Sequence, residues 1–375
     1  MKVYLDNAAT TPLDPAVFEE MQPYLTGTFG NPSSIHSHGR KAKAAVEVAR
    51  KQVAELLNTS PSEIFFTSGG TEADNMAIVC SVRSHGIKHI ITSKLEHHAV
   101  LHTVEMLEKS GLAVSYVDFD SQGAIDLSHL EQLLAAQPNS LVSLMHGNNE
   151  IGNLLDLDIV AEMCEQYGAI FHSDTVQTMG HYSHDLSKLK AHCVVGSAHK
   201  FHGPKGVGFL YLDAAHKIDP FIYGGAQERN MRGGTENVYG IIGLAKALEI
   251  AYAEMAAHEK HIKAIKSSMI EQLKDHIPGI LFNGRSHEID QSLYTVLNAS
   301  LPPSDHNDML LFNLDIKGIS ASGGSACSSG TDVGSHVLTA LQTDPERGAV
   351  RFSFSKYTTD EEVKYTVNEL ARLYN

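Results

Sequence analysis

The chain has 375 residues, 42% hydrophobic and 19% charged, without low-complexity tracts or internal repeats, which is typical of a folded, enzyme-sized protein with two lobes and excludes a disordered chain. Forty-four acidic residues against 29 basic ones give a net charge of −15, and this disfavours nonspecific binding to nucleic acid or to an anionic membrane. No apolar run approaches the roughly 18 residues that span a bilayer, and the N-terminus lacks a signal core, so we expect a soluble, cytoplasmic protein.

The predicted elements begin with a long amphipathic helix over residues 37–58. Short β-type runs follow it, and most of them are separated by segments with helical spacing. Alternation of this kind predicts an α/β fold with a mainly parallel sheet between two layers of helices. The seven runs cover residues 63–68, 88–93, 113–118, 140–145, 169–174, 192–197 and 206–212.

The pattern changes after these runs. Residues from Asn237 to about His276 predict two long helices with a break near Ala257, and short mixed runs with a closing helix follow Gly279. We therefore expect a large domain over residues 15–256 and a smaller α+β domain over 257–375. The arm formed by residues 1–14 is expected to pack with the smaller domain.

Candidate functional residues lie where the predicted strands end, because ligands of parallel sheets gather at the carboxyl ends of strands. Gly70 and Thr71 follow the first run and open a helix. Free N–H groups at a helix start, with the Thr71 hydroxyl, favour an anion site, although paired glycines are more often plain turn residues. Ser197 and His199, after another run, add a second set of donors.

Lys200 lies in the stretch VVGSAHKFHGPKGVGFLYL, between two apolar runs. Gly203, Pro204 and Gly206 constrain the backbone around it, which predicts a partly buried amine rather than a solvated loop lysine. Burial disfavours the charged form of an amine, and a neutral amine is the nucleophile that forms Schiff bases with carbonyl compounds.

Asp174 ends an apolar run, 26 residues before Lys200. Taken alone, it is explained equally well as a helix cap or a turn residue. The functional alternative is that it pairs with a pyridine nitrogen, as an aspartate does in pyridoxal phosphate enzymes. An anion site, a strand-end aspartate and an enclosed lysine together indicate a site for pyridoxal 5′-phosphate.

Other residues are weaker candidates by themselves. Either His97 or His98 could face the same crevice, but the chain has 22 histidines, so a surface position is a strong alternative. Asn149 is another strand-end candidate, although buried amides are usually structural. Arg351 lies within a short apolar run and is suited to a carboxylate. Thr235 either contacts phosphate or caps the following helix.

Three of the four cysteines, Cys80, Cys164 and Cys193, lie in apolar patterns and are predicted to be core residues. No CxxC pair or metal-ligand spacing is present, so no metal site is expected. Cys327 differs, because the segment SASGGSACSSG around it offers small residues and little packing. A thiol in this setting is either a tolerated free cysteine or a nucleophile.

These segments together resemble cysteine desulfurases of the class V aminotransferase group, which are fold type I pyridoxal phosphate enzymes. The resemblance runs nearly end to end. It is carried by YLDNAATTPLDP, FGNPSSIHSHGR, FTSGGTEADNMAI, EHHAVL, MHGNNEIG, HSDTVQ, SAHKFHGPKGVG, RGGTEN, SGGSACSSG and VRFSFSKYTTDEEV.

The resemblance implies three catalytic residues. Lys200 would be the Schiff-base lysine, His97 would stack on the cofactor ring and take part in proton transfers, and Cys327 would receive the sulfur. Arg351 and Asn149 would bind the substrate, with Arg351 taking the α-carboxylate.

It also implies how the cofactor is held. Asp174 would pair with the ring nitrogen, Gln177 with the ring oxygen, and Thr235 would reach the phosphate from the other subunit of a homodimer. The remaining cofactor-binding residues would be Gly70, Thr71, Asn149, Ser197, His199 and Lys200.

The activity implied is the conversion of L-cysteine to L-alanine, with the sulfur kept on Cys327 as a persulfide for an acceptor protein. Iron–sulfur cluster assembly and tRNA thiolation are both possible destinations, because the chain stops at ELARLYN without the extension that some family members use to bind a scaffold protein. Direct contact with nucleic acid or membrane is not expected. The alternative is another fold type I enzyme, an aminotransferase or a selenocysteine lyase, in which Cys327 is not the sulfur carrier.

Overall fold

The computed structural model describes residues 1–323 and 334–374. Its strands are β1 (Val3–Tyr4), β2 (Ile64–Thr67), β3 (His89–Thr92), β4 (Ala113–Tyr116), β5 (Leu141–Ser143), β6 (Ile170–Asp174), β7 (Cys193–Ser197), β8 (Gly208–Leu212), β9 (Leu281–Phe282), β10 (Val296–Leu301), β11 (Ile319–Ser320) and β12 (Gly348–Ser353). Its α-helices are α1 (Pro15–Thr26), α2 (Ser37–Leu56), α3 (Gly70–His85), α4 (His98–Lys109), α5 (Leu127–Ala136), α6 (Leu157–Gln166), α7 (Val238–Ala253), α8 (Met255–His276), α9 (Leu310–Ile316), α10 (His336–Ala340) and α11 (Asp360–Tyr374).

A seven-stranded sheet has the strand order β2-β8-β7-β6-β5-β3-β4. β8 is antiparallel to both of its neighbours, and the other neighbouring strands pair in parallel. Each strand coincides with one of the seven predicted runs, to within two residues at either end. The predicted α/β fold with a mainly parallel sheet is therefore confirmed.

The strands form because their side chains are apolar on both faces, and helices cover both faces. Val194 packs on the side of the sheet that holds Val53 of α2 and Leu244 of α7. Its neighbour Val195 belongs to a separate cluster with Ala77 of α3. Runs that are buried on both faces are typical of parallel strands.

Side-chain caps set where several helices begin. The carboxylates of Asp14, Asp126 and Asp156 accept backbone N–H groups at the starts of α1, α5 and α6, and such a cap is worth about 1 kcal/mol. The imidazole of His97 does the same for α4. In the described part of the chain, none of the helices is both long and apolar enough to cross a membrane.

A three-stranded sheet, β12-β10-β9, belongs to a second hydrophobic core. Phe352 of β12, Met269 of α8 and Leu370 of α11 are buried in it. α7 and α8 meet at Glu254 rather than near Ala257, where the sequence predicted the break. The predicted domain bounds of 15–256 and 257–375 remain a prediction.

The N-terminal arm belongs to this second core. β1 pairs in parallel with β11, and Leu5 is buried among the same apolar side chains. The chain then passes beside β12, where the backbone N–H of Ser353 donates to the carbonyl of Leu5 at 2.7 Å. This pairing directs residues 6–11 toward the carboxyl ends of the seven-stranded sheet.

Candidate active site

A cavity of about 190 Å³ lies where the carboxyl ends of the parallel strands meet the arm and β12. One water needs only about 10–15 Å³ measured in this way, so the cavity has room for a much larger ligand. It brings together all the predicted site residues except Thr235 and Cys327. They are Gly70, Thr71, His97, Asn149, Asp174, Gln177, Ser197, His199, Lys200 and Arg351.

Lys200 is half-buried in a short turn that directly follows β7. Its Nζ donates to the carbonyl oxygens of Ala8 at 2.6 Å and Ala9 at 3.0 Å. Gly203 lets the chain fold back against this turn, because a Cβ there would lie 2.7 Å from the Cβ of Ala198. The amine is thus held on the cavity wall by the arm.

Asp174 ends β6 and is only 6% exposed. Its Oδ1 accepts the N–H of Val176 at 2.9 Å, so it is a turn residue as well as a cavity residue. Burial raises its pKa, against the effects of this hydrogen bond and of the Lys200 ammonium. The other oxygen, Oδ2, has no hydrogen-bond partner among the described residues.

Two further buried carboxyl groups, those of Asp74 and Glu96, accompany Asp174. Burial raises the pKa of each well above its usual value, and the charge of Asp174 raises it further. Oδ1 of Asp74 lies 3.3 Å from Nε2 of His172, whose pKa burial lowers to about 3. The neutral forms of Asp74, Glu96 and His172 are therefore favoured, and Asp174 is the carboxylate next to a cation.

The start of α3 lines the cavity with Gly70 and Thr71 and is suited to an anion. No side chain caps this helix, so its first N–H groups point outward as donors. Gly70 lets the start of α3 pack closely against Val176, because a Cβ at position 70 would lie 2.8 Å from Cγ2 of Val176. Within residues 1–323 and 334–374, the hydroxyls of Thr71 and Ser197 have no hydrogen-bond partner.

His97 lies in the cavity wall, whereas His98 packs against His102 and His336 outside it. Nδ1 of His97 accepts the N–H of Ala99 at 3.1 Å, which leaves the proton of the neutral ring on Nε2. Burial and the Lys200 charge lower the pKa of His97 to about 4, so the ring is neutral near pH 7.

The opposite wall comes from β12 and the loop after β5. Arg351 is 1% exposed; its Nη1 donates to the carbonyl of Asn149 at 2.9 Å and its Nη2 to Oδ1 of Asp6 at 2.9 Å. The side-chain amide of Gln177 donates to the carbonyl of Ala8 at 3.0 Å. A buried guanidinium at the edge of a cavity is suited to a carboxylate ligand.

The N-terminal arm is the part of the site that the sequence did not predict. Ala8 and Ala9 line the cavity. The hydroxyl oxygen of Thr10 lies 3.1 Å from Nδ1 of His199. The small residues of this segment carry no chemical signal, and the motif YLDNAATTPLDP was the only indication of their importance.

Thr235 is exposed and lines a different groove, with Glu228 and Arg232. Its predicted alternative role as a helix cap is wrong, because α7 begins at Val238 and is capped by Asn237. Cys327 lies outside the described residues.

Comparison with known proteins identifies the family of the chain. Residues 3–366 match the aminotransferase class-V family. The chain belongs to this family. It is 43% identical to a cysteine desulfurase IscS of Dictyoglomus turgidum, over 99% of this chain and 94% of that protein. It is 40% identical to the putative cysteine desulfurase IscS 1 of Bacillus subtilis, over 99% and 98% of the two chains.

Among solved structures, a NifS-like protein superposes with a TM-score of 0.91, at 38% identity over 99% of both chains. The resemblance to cysteine desulfurases inferred from sequence motifs is therefore confirmed. Class-V aminotransferases and cysteine desulfurases are pyridoxal phosphate enzymes as a family, and the cavity has the acid, amine and anion-binding groups that this cofactor requires.

Proposed function

We propose that this protein is a pyridoxal phosphate-dependent cysteine desulfurase, which converts L-cysteine to L-alanine and retains the sulfur on Cys327 as a persulfide. The observation that carries the proposal is the convergence of Lys200, Asp174 and Arg351 on one cavity. An amine for the carbonyl, a carboxylate for the ring nitrogen and a guanidinium for the substrate are the groups that pyridoxal phosphate chemistry on an amino acid needs.

The cavity fits the cofactor by its donor set. The start of α3, with the hydroxyls of Thr71 and Ser197, would hold the phosphate. Oδ2 of Asp174 would accept from the ring nitrogen, Gln177 would bond the ring oxygen, and His97 would stack on the ring. When bound, the cofactor supplies an electron sink that weakens the bonds at the Cα of the amino acid.

The protein's own groups would do the remaining work. Arg351 would bind the α-carboxylate of L-cysteine, with Asn149 beside it. Nζ of Lys200 would take and return protons in the cavity, since the carbonyls of Ala8 and Ala9 hold it at the wall. Holding the substrate and the amine in position lowers the entropic cost of bringing the reacting groups together.

The position of Cys327 in the chain supports its assignment as sulfur acceptor. Ser322 pairs with Arg351 through two backbone hydrogen bonds, and Cys327 follows it by five positions. Five residues of chain reach at most about 18 Å. On the other side, the hydroxyl of Ser335 donates to the buried carboxylate of Glu150, next to Asn149 in the sequence.

The sulfur transfer balances without another reactant. The thiolate of Cys327 attacks the sulfur of L-cysteine, the bond between that sulfur and Cβ breaks, and Cβ takes a proton to give L-alanine. The products are one L-alanine and one Cys327 persulfide.

The further partners belong to the same proposal. The enzyme would be a cytoplasmic homodimer in which Thr235 completes the phosphate site of the other subunit, which agrees with its exposure away from the cavity of its own chain. A sulfur-acceptor protein, from tRNA thiolation or iron–sulfur cluster assembly, would take the persulfide.

The test is turnover of L-cysteine by the holoenzyme, with alanine and reductant-released sulfide both measured. We expect equal amounts from the wild type and loss of both in Cys327→Ala, with the absorption band of the bound cofactor retained. Cys164→Ala is the matched control, because Cys164 is buried in the core. Full turnover by Cys327→Ala would favour an aminotransferase or selenocysteine lyase instead.

A further inference from the structure

We propose that Asp6 of the N-terminal arm is a positioning residue for substrate recognition. It holds Nη2 of Arg351, a residue that lines the cavity, and so fixes the guanidinium that binds the α-carboxylate of the amino acid. This inference rests on the proposed function, because it specifies how the same site selects its substrate.

The hydrogen bonds of Arg351 engage part of the guanidinium and leave donors over. Nη1 donates to the carbonyl of Asn149 and Nη2 to Oδ1 of Asp6, each at 2.9 Å. Nε is fully buried and has no partner in the described part of the chain. A guanidinium has about five N–H donors in a fixed plane, and such a group matches a carboxylate. Asp6 and Asn149 therefore fix the plane of Arg351 while N–H groups remain for a carboxylate in the cavity.

Asp6 is itself fixed before any ligand arrives. Its Oδ1 also accepts the hydroxyl of Ser322 at 2.8 Å. The backbone on either side is paired, since the N–H of Leu5 donates to Ser320 at 2.9 Å and the N–H of Ser353 donates to Leu5 at 2.7 Å. An acceptor that is held by Ser322 and by a paired backbone can fix the orientation of its other donor, Arg351.

The charges agree with this role. The Arg351 side chain is 1% exposed and the Asp6 side chain 19%. A buried guanidinium without a counterion is strongly unfavourable, so Asp6 balances the charge while the cavity holds no substrate. Asp6 does not line the cavity, and it acts on the substrate only through Arg351.

A purely structural role for Asp6 is the competing explanation, and a pair of ligands separates the two. L-alanine is the product of the proposed reaction, and ethylamine is the same molecule without the carboxylate. Calorimetric titration of both into the holoenzyme measures recognition of the carboxylate alone. The variants are Asp6→Ala, Asp6→Asn, which keeps an acceptor oxygen of the same shape, and Asp305→Ala as a control at an exposed site.

We expect Asp6→Ala to bind L-alanine about 10- to 100-fold more weakly and ethylamine as the wild type does. KM for L-cysteine should rise by a similar factor, with kcat reduced less than about threefold. Asp6→Asn, which keeps an acceptor oxygen but loses the charge, should bind L-alanine more tightly than Asp6→Ala does and should bind ethylamine as the wild type does. Ser322→Ala, which removes one donor to Asp6, should shift L-alanine affinity in the same direction by a smaller factor.

Wild-type affinity of Asp6→Ala for L-alanine would overturn the inference, and so would an equal loss of both ligands. Loss of L-alanine affinity in Asp6→Asn as large as in Asp6→Ala would overturn it too, because the shape of the acceptor would then not suffice. Failure of the proposed function is a separate result, since it appears as a wild-type enzyme that forms no alanine from L-cysteine.

Discussion

The two walls of the cavity are built in different ways. The first wall, which carries Lys200 and Asp174, consists of strand ends of one sheet, and its residues follow each other closely along the chain. The second wall, which carries Arg351, depends on Asp6 and Ser322, and Asp6 lies 345 positions from Arg351 in the sequence. The strands of the first wall follow from local pattern, although the arm also contacts Lys200, whereas the contacts of Arg351 depend on long-range pairing.

The largest effect is expected at the first wall, in Lys200→Ala. Loss of the amine should lower the turnover of L-cysteine by at least about 1000-fold, because no other described amine lines the cavity. The measurement is alanine formation by the variant, with its fold checked by circular dichroism. Lys205→Ala removes an exposed lysine from the same loop and should retain wild-type turnover; equal losses in both variants would contradict a specific role for Lys200.

The carboxylates of the first wall allow a finer comparison. Asp174→Asn should weaken pyridoxal phosphate binding by about 100-fold or more, since it removes one partner of a buried charge pair. Asp74→Asn should change it less than about threefold, because burial and the neighbouring carboxylates already favour the neutral form of Asp74. Equilibrium dialysis of the cofactor measures both values. Equal weakening in the two variants would mean that Asp74 carries charge as well.

A smaller effect is expected on the pH dependence of the free energy of unfolding. Burial lowers the pKa of His146 and His172 to about 3 and of His181 and His184 to about 4, and all four lie in or after the neighbouring strands β5 and β6. Between these values and the ordinary pKa near 6.5, the unfolded chain binds more protons than the folded one, so stability falls as pH falls. Each histidine should contribute about 1.4 kcal/mol per pH unit.

Urea unfolding at pH 7, 6 and 5 measures this slope. His146→Asn should have a shallower slope than the wild type, because burial lowers the pKa of this ring in the folded state. A slope unchanged in His146→Asn would show that this ring titrates equally in the folded and unfolded states.

The same contrast explains what the sequence could predict. The seven strands were found within two residues, because continuous apolar runs between helical segments are a local signal. Gly70, Asp174 and Lys200 could be predicted to lie together because each is at, or shortly after, the end of one of those runs. Asp6, Ala8 and Ala9 were missed, since their roles arise from pairing with Ser320 and Ser353, which no local pattern records. The helix break at Glu254 was misplaced because both sides of it are helical in pattern.

The pairing of the arm has a consequence for how the enzyme is made. Residues 3–9 leave the ribosome long before their partners on β11 and β12 are synthesised. The seven-stranded sheet can form earlier, because its strands are complete by Leu212. Lys200 can therefore fold into its turn before β11 and β12 are made, and the arm that carries Ala8 and Ala9 is fixed beside it only after those strands have been synthesised.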